Sequence, residues 1–254
     1  MKLFIFIAAI FITTASANAQ TPFLTSGTVE YEVKINMSKN IDPNNSWAKN
    51  MAAQYGNYST QYYKLAFNDQ QSIYKKGKEF ENKWDNYLAY TGYNEKNFTL
   101  TNFKENTITQ FKNIFDKQFL IQDSALKIDW RLMDETREIA GFNCRKAVGR
   151  FNDTLYVIAF YSDQIVSQAG PLLFNGLPGL ILGIAFPRYN YTIYATKVNM
   201  ATPPESEFTY NIKKPINTTR KEIEKTTNEL MARWGENENP DEKNKAIANI
   251  LINN

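Results

Sequence analysis

Residues 28–37 read TVEYEVKINM, and the alternation is unbroken: Val29, Tyr31, Val33, Ile35 and Met37 fall on one side, Thr28, Glu30, Glu32, Lys34 and Asn36 on the other. Successive side chains of an extended chain point to opposite faces, so this is a strand with one face buried and one in water. Shorter runs of the same character follow at 62–68, 71–75, 97–102, 107–112, 118–122 and 127–132, separated by clusters rich in Asn, Asp, Gly and Lys. Strands spaced by polar turns imply an antiparallel meander. A helix interrupts it at 45–54 (NSWAKNMAAQ), between the first and second strands, with Ser46 as N-cap before an Ala-rich interior.

Further along, residues 136–151 and 154–161 are β-prone, and Asn152-Asp153 between them is turn chemistry, so the pair reads as a hairpin. The apolar run LILGIAF (180–186) is broken at FPRY (186–189), and 189–199 resumes as a strand, giving a second hairpin. Thr202-Pro203-Pro204 is a linker. Thr219 and Glu222 then have the spacing of a capping box at the head of a helix to Trp234, with Gly235 as its C-cap. The fold expected is mainly β: one curved antiparallel sheet or half-barrel, with a few packing helices, over residues 20–235. Residues 236–254 are a polar tail.

The ends and the composition restrict function. Met1-Lys2, the apolar run LFIFIAAIFI (3–12) and the small-residue stretch TTASANA (13–19) have the anatomy of a secretory signal, residues 1–19, cleaved after Ala19. Later in the chain no stretch approaches 18 consecutive apolar residues, so no transmembrane helix is expected in the mature protein. The 254 residues include no His, which excludes a Ser-His-Asp triad, a Cys-His dyad and HExxH zinc chemistry. One Cys, Cys144, permits neither an internal disulfide nor a cysteine zinc cage, and its expected state is a buried thiol. A formal charge of +3 without a basic cluster gives no reason to expect nucleic acid.

Two rigid corners bound the segment GPLLFNGLPGLIL (170–182): Gly170-Pro171, and Pro178-Gly179 at positions i+1 and i+2 of a type II turn. A buried central strand starts at Leu180, with the strand around Phe142 to Ala147 among its neighbours. Gly176 to Ile181, GLPGLI, resembles the signature of the GLPGLI family of exported proteins found mainly in Bacteroidetes. The likeness extends to Trp130, to the run from Thr136 through Ile139, Gly141, Phe142, Cys144, Lys146 and Ala147, and to Phe160-Tyr161, where the family pattern has Trp-Tyr.

That resemblance implies a layout similar to periplasmic half-barrel carriers of lipoproteins and other hydrophobic cargo. It also implies a periplasmic location and a non-enzymatic accessory role: holding apolar or peptide-like cargo, or assisting an outer-membrane TonB-dependent transporter. It carries over no catalytic residue, metal or cofactor. The candidate binding residues are Gly170, Pro171, Phe174, Gly176, Leu177, Pro178, Gly179, Leu180 and Ile181, at the mouth of the half-barrel.

Two chemical alternatives stand beside it. Asp129, Asp134, Glu135 and Glu138 could supply a carboxylate pair or a divalent-cation site for a periplasmic hydrolase, although Asp129 and Glu135 on one strand would lie about 20 Å apart. Lys146, two residues from Cys144, would share its face and could depress the thiol pKa, or could only lay its stem along apolar surface.

Overall fold

A computed structural model describes residues 24–40, 46–81, 83–84, 93–114, 117–151 and 155–233. The expected signal segment, polar tail, Asn152-Asp153 turn and Gly235 cap lie outside these residues.

The predicted opening strand forms as β1 (Gly27–Asn36), its odd-numbered residues buried from Gly27 to Ile35. Met37 turns away into a short helix α1 (Met37–Asn40), and α2 (Ser46–Tyr55) is the expected interruption. Five strands then run outward in order: β2 (Tyr58–Phe67), β3 (Gln71–Lys76), β4 (Phe98–Asn102), β5 (Thr107–Ile114) and β6 (Lys117–Ser124). The chain next starts again at the opposite edge with β7 (Arg131–Ile139) and works inward through β8 (Phe142–Phe151), β9 (Leu155–Ser162), β10 (Leu180–Phe186) and β11 (Tyr191–Asn199), which pairs with β1. A last strand, β12 (Ile216–Thr218), lies parallel to β6, and α3 (Arg220–Arg233) follows. The result is one twelve-stranded sheet in the order β12-β6-β5-β4-β3-β2-β1-β11-β10-β9-β8-β7.

This order demands curvature. Ten strand intervals separate β6 from β7, about 48 Å in a flat sheet at about 4.8 Å each. The connection from Ser124 to Arg131 reaches at most about 25 Å even fully extended. The sheet must therefore roll until its two ends approach, and residues 125–130 cross its inner face. There Ala125, Leu126, Ile128 and Trp130 pack against the main core. An ideal Cβ on Gly149 of β8 would stand 2.6 Å from the Ile128 side chain and 2.7 Å from the Trp130 ring, so a glycine lets the crossing lie close.

Three expectations need correction. The strand expected at 127–132 begins only at Arg131, and residues 127–130 belong to the crossing connection, because the alternation Ile128/Trp130 reports one-sided burial, which such a connection supplies as well as a sheet does. The β-prone stretch 136–151 is two strands, folded at Ala140-Gly141 with φ of +50° and +83°, a turn requiring positive φ at both positions. The sheet neighbours of β10 are β9 and β11, so β8 stands one strand further out.

The helix expected from Thr219 begins as the capping box foretells. The Thr219 backbone N–H donates to Glu222 Oε2 at 2.8 Å, and the Glu222 N–H donates to Thr219 Oγ1 at 3.3 Å. Ile223 is its buried contact, against Ile114, Phe119 and Ile121.

Candidate functional site

The segment singled out in the sequence fills the inner face of the sheet. Between β9 and β10, Ile165, Ala169, Leu172, Leu173, Phe174 and Leu177 are all at most 2% exposed. Phe174 is the hub: Trp130 and Phe151 meet it edge-on at ring distances of 6.5 and 6.0 Å, and Phe186 lies at 5.5 Å. Trp130 Nε1 donates to the Asn175 carbonyl at 3.1 Å, tying the crossing connection to the loop. Of the nine candidate binding residues, Gly170, Pro171, Phe174, Leu177, Gly179, Leu180 and Ile181 are buried; Gly176 and Pro178 are exposed.

The corner at Pro178-Gly179 is tighter than a type II turn. Gly179 N–H donates to the Leu177 carbonyl at 2.8 Å, closing a three-residue turn around Pro178, and Leu180 N–H donates instead to Ile165 O at 3.2 Å. Gly179 keeps the expected positive φ, at +154°. A Cβ there would stand 2.2 Å from the Ser162 carbonyl oxygen.

The inner face changes character across β1. On the β8–β11 side it is apolar and covered by the loop. On the β2–β5 side, register puts a different set on the same face. Val29 pairs with Leu65, Leu65 with Tyr74, Tyr74 with Thr99, and Thr99 with Gln110. Alternation adds Gln61, Lys76 and Lys112. Gln61, Asn97, Thr99, Gln110 and Lys112 are all at most 4% exposed. The bonds among them include Tyr63 OH to Gln61 Oε1 at 3.2 Å, Gln110 Nε2 to Thr99 Oγ1 at 3.2 Å, and Asn113 N–H to Asn97 Oδ1 at 2.9 Å. Burial pulls the Lys112 ammonium down to about 7 and holds the Tyr74 phenol well above its ordinary range.

Beside this floor a groove of about 410 Å³ is lined by Lys76, Glu79, Phe80, Glu81, Tyr93 and Glu95. Lys76 belongs to both. Its ammonium hydrogen-bonds the Tyr93 hydroxyl and lies 4.8 Å from the Tyr93 ring centre and 5.8 Å from that of Tyr63.

Sequence reading missed the polar floor because Gln61, Thr99 and Gln110 look like ordinary solvent-facing strand residues. The available signal was in β5, where Thr107-Ile108-Thr109-Gln110-Phe111-Lys112 puts polar residues on both faces and so cannot be a strand with one dry side.

The other candidates are resolved by position. Asp129, Asp134, Glu135 and Glu138 are exposed, Glu135 pairing with Lys146 at 2.6 Å. Among the described residues no three of His, Cys, Asp and Glu gather into a group sized for a metal. Cys144 is fully buried, and burial pushes its thiol up to about 11, so Lys146 engages Glu135 and does not activate the sulfur. In the native protein Cys144 is expected to resist a thiol-alkylating reagent at pH 8 and to react only after denaturation, which intact mass measurement would read. Full modification without unfolding would contradict the assigned burial.

No family model matches the chain, and a comparison with curated proteins finds no match. Among solved structures, PNGF-II resembles it with a TM-score of 0.53 at 17% identity, over 80% of this chain and 33% of that one. The chain thus spans about a third of PNGF-II, and the likeness is one of fold. An uncharacterised conserved protein from Thermus thermophilus gives 0.38 at 10% identity, over 75% and 90% of the two chains. The Pseudomonas aeruginosa MucA/MucB complex gives 0.33 at 10%, over 74% and 56%. No helix among the described residues is long and apolar enough to cross a membrane.

Proposed function

We propose that this protein is a non-enzymatic binding protein of the periplasm, a GLPGLI-type accessory exported by the segment 1–19. Its cargo seat is the polar part of the inner face, reached from the groove at Lys76 and Tyr93. The observation that supports this reading is the contrast between the two halves of one continuous face. A sheet that needed only a core would carry apolar residues throughout, as the β8–β11 half does. The β2–β5 half interleaves its core residues Tyr63, Leu65, Phe67, Tyr74 and Ile108 with buried hydroxyls, amides and a lysine, groups that cost free energy to bury and are kept where oriented hydrogen bonding is used.

The apolar half is filled by Phe174 and its loop, so the cargo is polar and peptide-like, not a lipid chain. An outer-membrane transporter is the partner class to which such an accessory would deliver.

Native mass spectrometry of the protein purified gently from its own periplasm tests this. The expected spectrum shows a chain beginning at Gln20 with a non-covalent adduct, and the adduct is lost in a folded Thr99→Val/Gln110→Leu variant. An apo mass for the parent, or an adduct that survives the double substitution, would reject the seat. A chain still carrying residues 1–19 would reject the export route.

A further inference from the structure

On the outer face, Ala66, Ile73, Phe98, Phe111 and Leu120 form a second apolar cluster, closed by Phe208, which is 5% exposed. Phe208 comes from residues 200–215, the segment that leads from β11 across this face to β12. Next to it, the Glu207 carboxylate lies 3.1 Å from both Lys64 Nζ and Lys75 Nζ. These lysines are direct cross-strand partners, so without an intervening carboxylate two like charges would face each other. Burial raises the Glu207 pKa, but hydrogen bonds from Lys75 and Lys64 outweigh it and hold the carboxyl below its ordinary value.

What distinguishes this segment is how it is held. Its backbone hydrogen bonds are internal, Glu207 N–H to Pro204 O and Thr209 N–H to Ser206 O. Among the described residues no backbone–backbone hydrogen bond joins 200–215 to the sheet. The attachment is by side chains: the Phe208 ring in an apolar pocket, the Tyr210 ring 4.9 Å from that of Phe98, Ile212 against the same cluster, the Glu207 carboxylate between two ammonium groups, Lys75 Nζ donating to the Glu207 carbonyl at 3.3 Å, and a hydroxyl pair between Ser26 and Thr202 at 3.0 Å. At its end, β12 is only three residues long and parallel, the weaker kind of pairing, with Ile216 48% exposed. A segment bonded in this way can open locally without breaking the ladders of the sheet.

We propose that this outer face is a recognition site for a partner peptide that presents a carboxylate residue directly before an aromatic one in a single 3-10 turn, and that the chain's own Glu207-Phe208, held in the turn Glu205–Phe208, is its resident, displaceable occupant. The charge clamp selects the acid, and the pocket selects the ring. The intramolecular occupant acts at an effective concentration on the order of millimolar, so a free peptide competes poorly until the resident contact is weakened.

The test uses the full chain and a labelled peptide of sequence TPPESEFTYN, which copies residues 202–211. Phe208→Ala is expected to bind it at least tenfold more tightly than the parent. Adding Lys64→Ala and Lys75→Ala should weaken that binding about tenfold, as should raised salt. Replacing the peptide's Phe by Ala should abolish it. Circular dichroism establishes whether Phe208→Ala folds; if it does not, Glu207→Gln, which leaves the ring in place, takes its role with the same expected order. The proposal is overturned if a folded variant fails to bind the peptide, or binds the Ala-substituted peptide equally well.

Discussion

Gly179→Ala leaves the protein unable to hold its native sheet: the expected loss exceeds about 4 kcal/mol, beyond what ordinary core substitutions cost. Two effects combine. The added Cβ would stand 2.2 Å from the Ser162 carbonyl oxygen and 2.9 Å from Asp163 Cα, and both are backbone atoms of the strand and turn that pair with this segment. Neither can step aside as a side-chain tip would. At φ +154° the backbone also sits where L-residues are strained, at a cost of about 1–3 kcal/mol.

Moving Gly179 would pull Leu180 from Ser162, its first partner in the β9–β10 ladder, and lift Leu177 and Phe174 out of the core. Gly176→Ala is the control. Gly176 also has positive φ, +83°, but a Cβ there meets nothing within 4 Å, so only strain of roughly 1 kcal/mol is expected. Chemical denaturation of the two variants measures the contrast. Equal, small losses in both would mean that the loop can rearrange around position 179 and that the hexapeptide is not required for packing.

That contrast also marks how far the sequence could be read. The value of Gly179 as a glycine was legible from Pro178-Gly179 alone, because Pro-Gly punctuation has few backbone solutions. The choice among them was not: whether the Leu180 N–H closes the turn or reaches across to Ile165 depends on a segment well upstream. β1 was legible because its two faces meet two different solvents, core and water. β7 and the connection before it were not, since Ile128 and Trp130 alternate whether they lie in a sheet or across one. The Ala140-Gly141 turn was missed because alanine is a poor signal for positive φ, and only the facing strands impose it. The polar floor was hidden for a related reason: an inward Gln or Thr is identical in sequence to an outward one until register assigns the face.

The burial of Lys112 gives the stability of the protein a distinctive pH dependence. The side chain is fully buried, and its pKa falls from the ordinary 10.5 to about 7 because the charged form loses its hydration. Below about pH 7 both folded and unfolded states carry the proton. Between about 7 and 10.5 the unfolded chain keeps a proton that the folded chain has released. Stability therefore rises with pH across that window, by up to about 1.4 kcal/mol per unit.

At higher pH an opposite linkage takes over. Tyr31, Tyr74 and Tyr191 are buried with raised pKa values, so above about pH 10 the unfolded state loses phenolic protons that the folded state retains, and stability falls. The expected profile is a maximum near about pH 9–10, well above the usual optimum of roughly pH 5–8. Lys112→Met keeps a side chain of similar length without the titrating group. It should show no rise between pH 7 and 10, while keeping the fall beyond. Urea unfolding of both proteins at one-unit intervals decides the matter, because titrations common to the two cancel in the difference. Parallel curves would show that Lys112 stays charged in the folded state across this window.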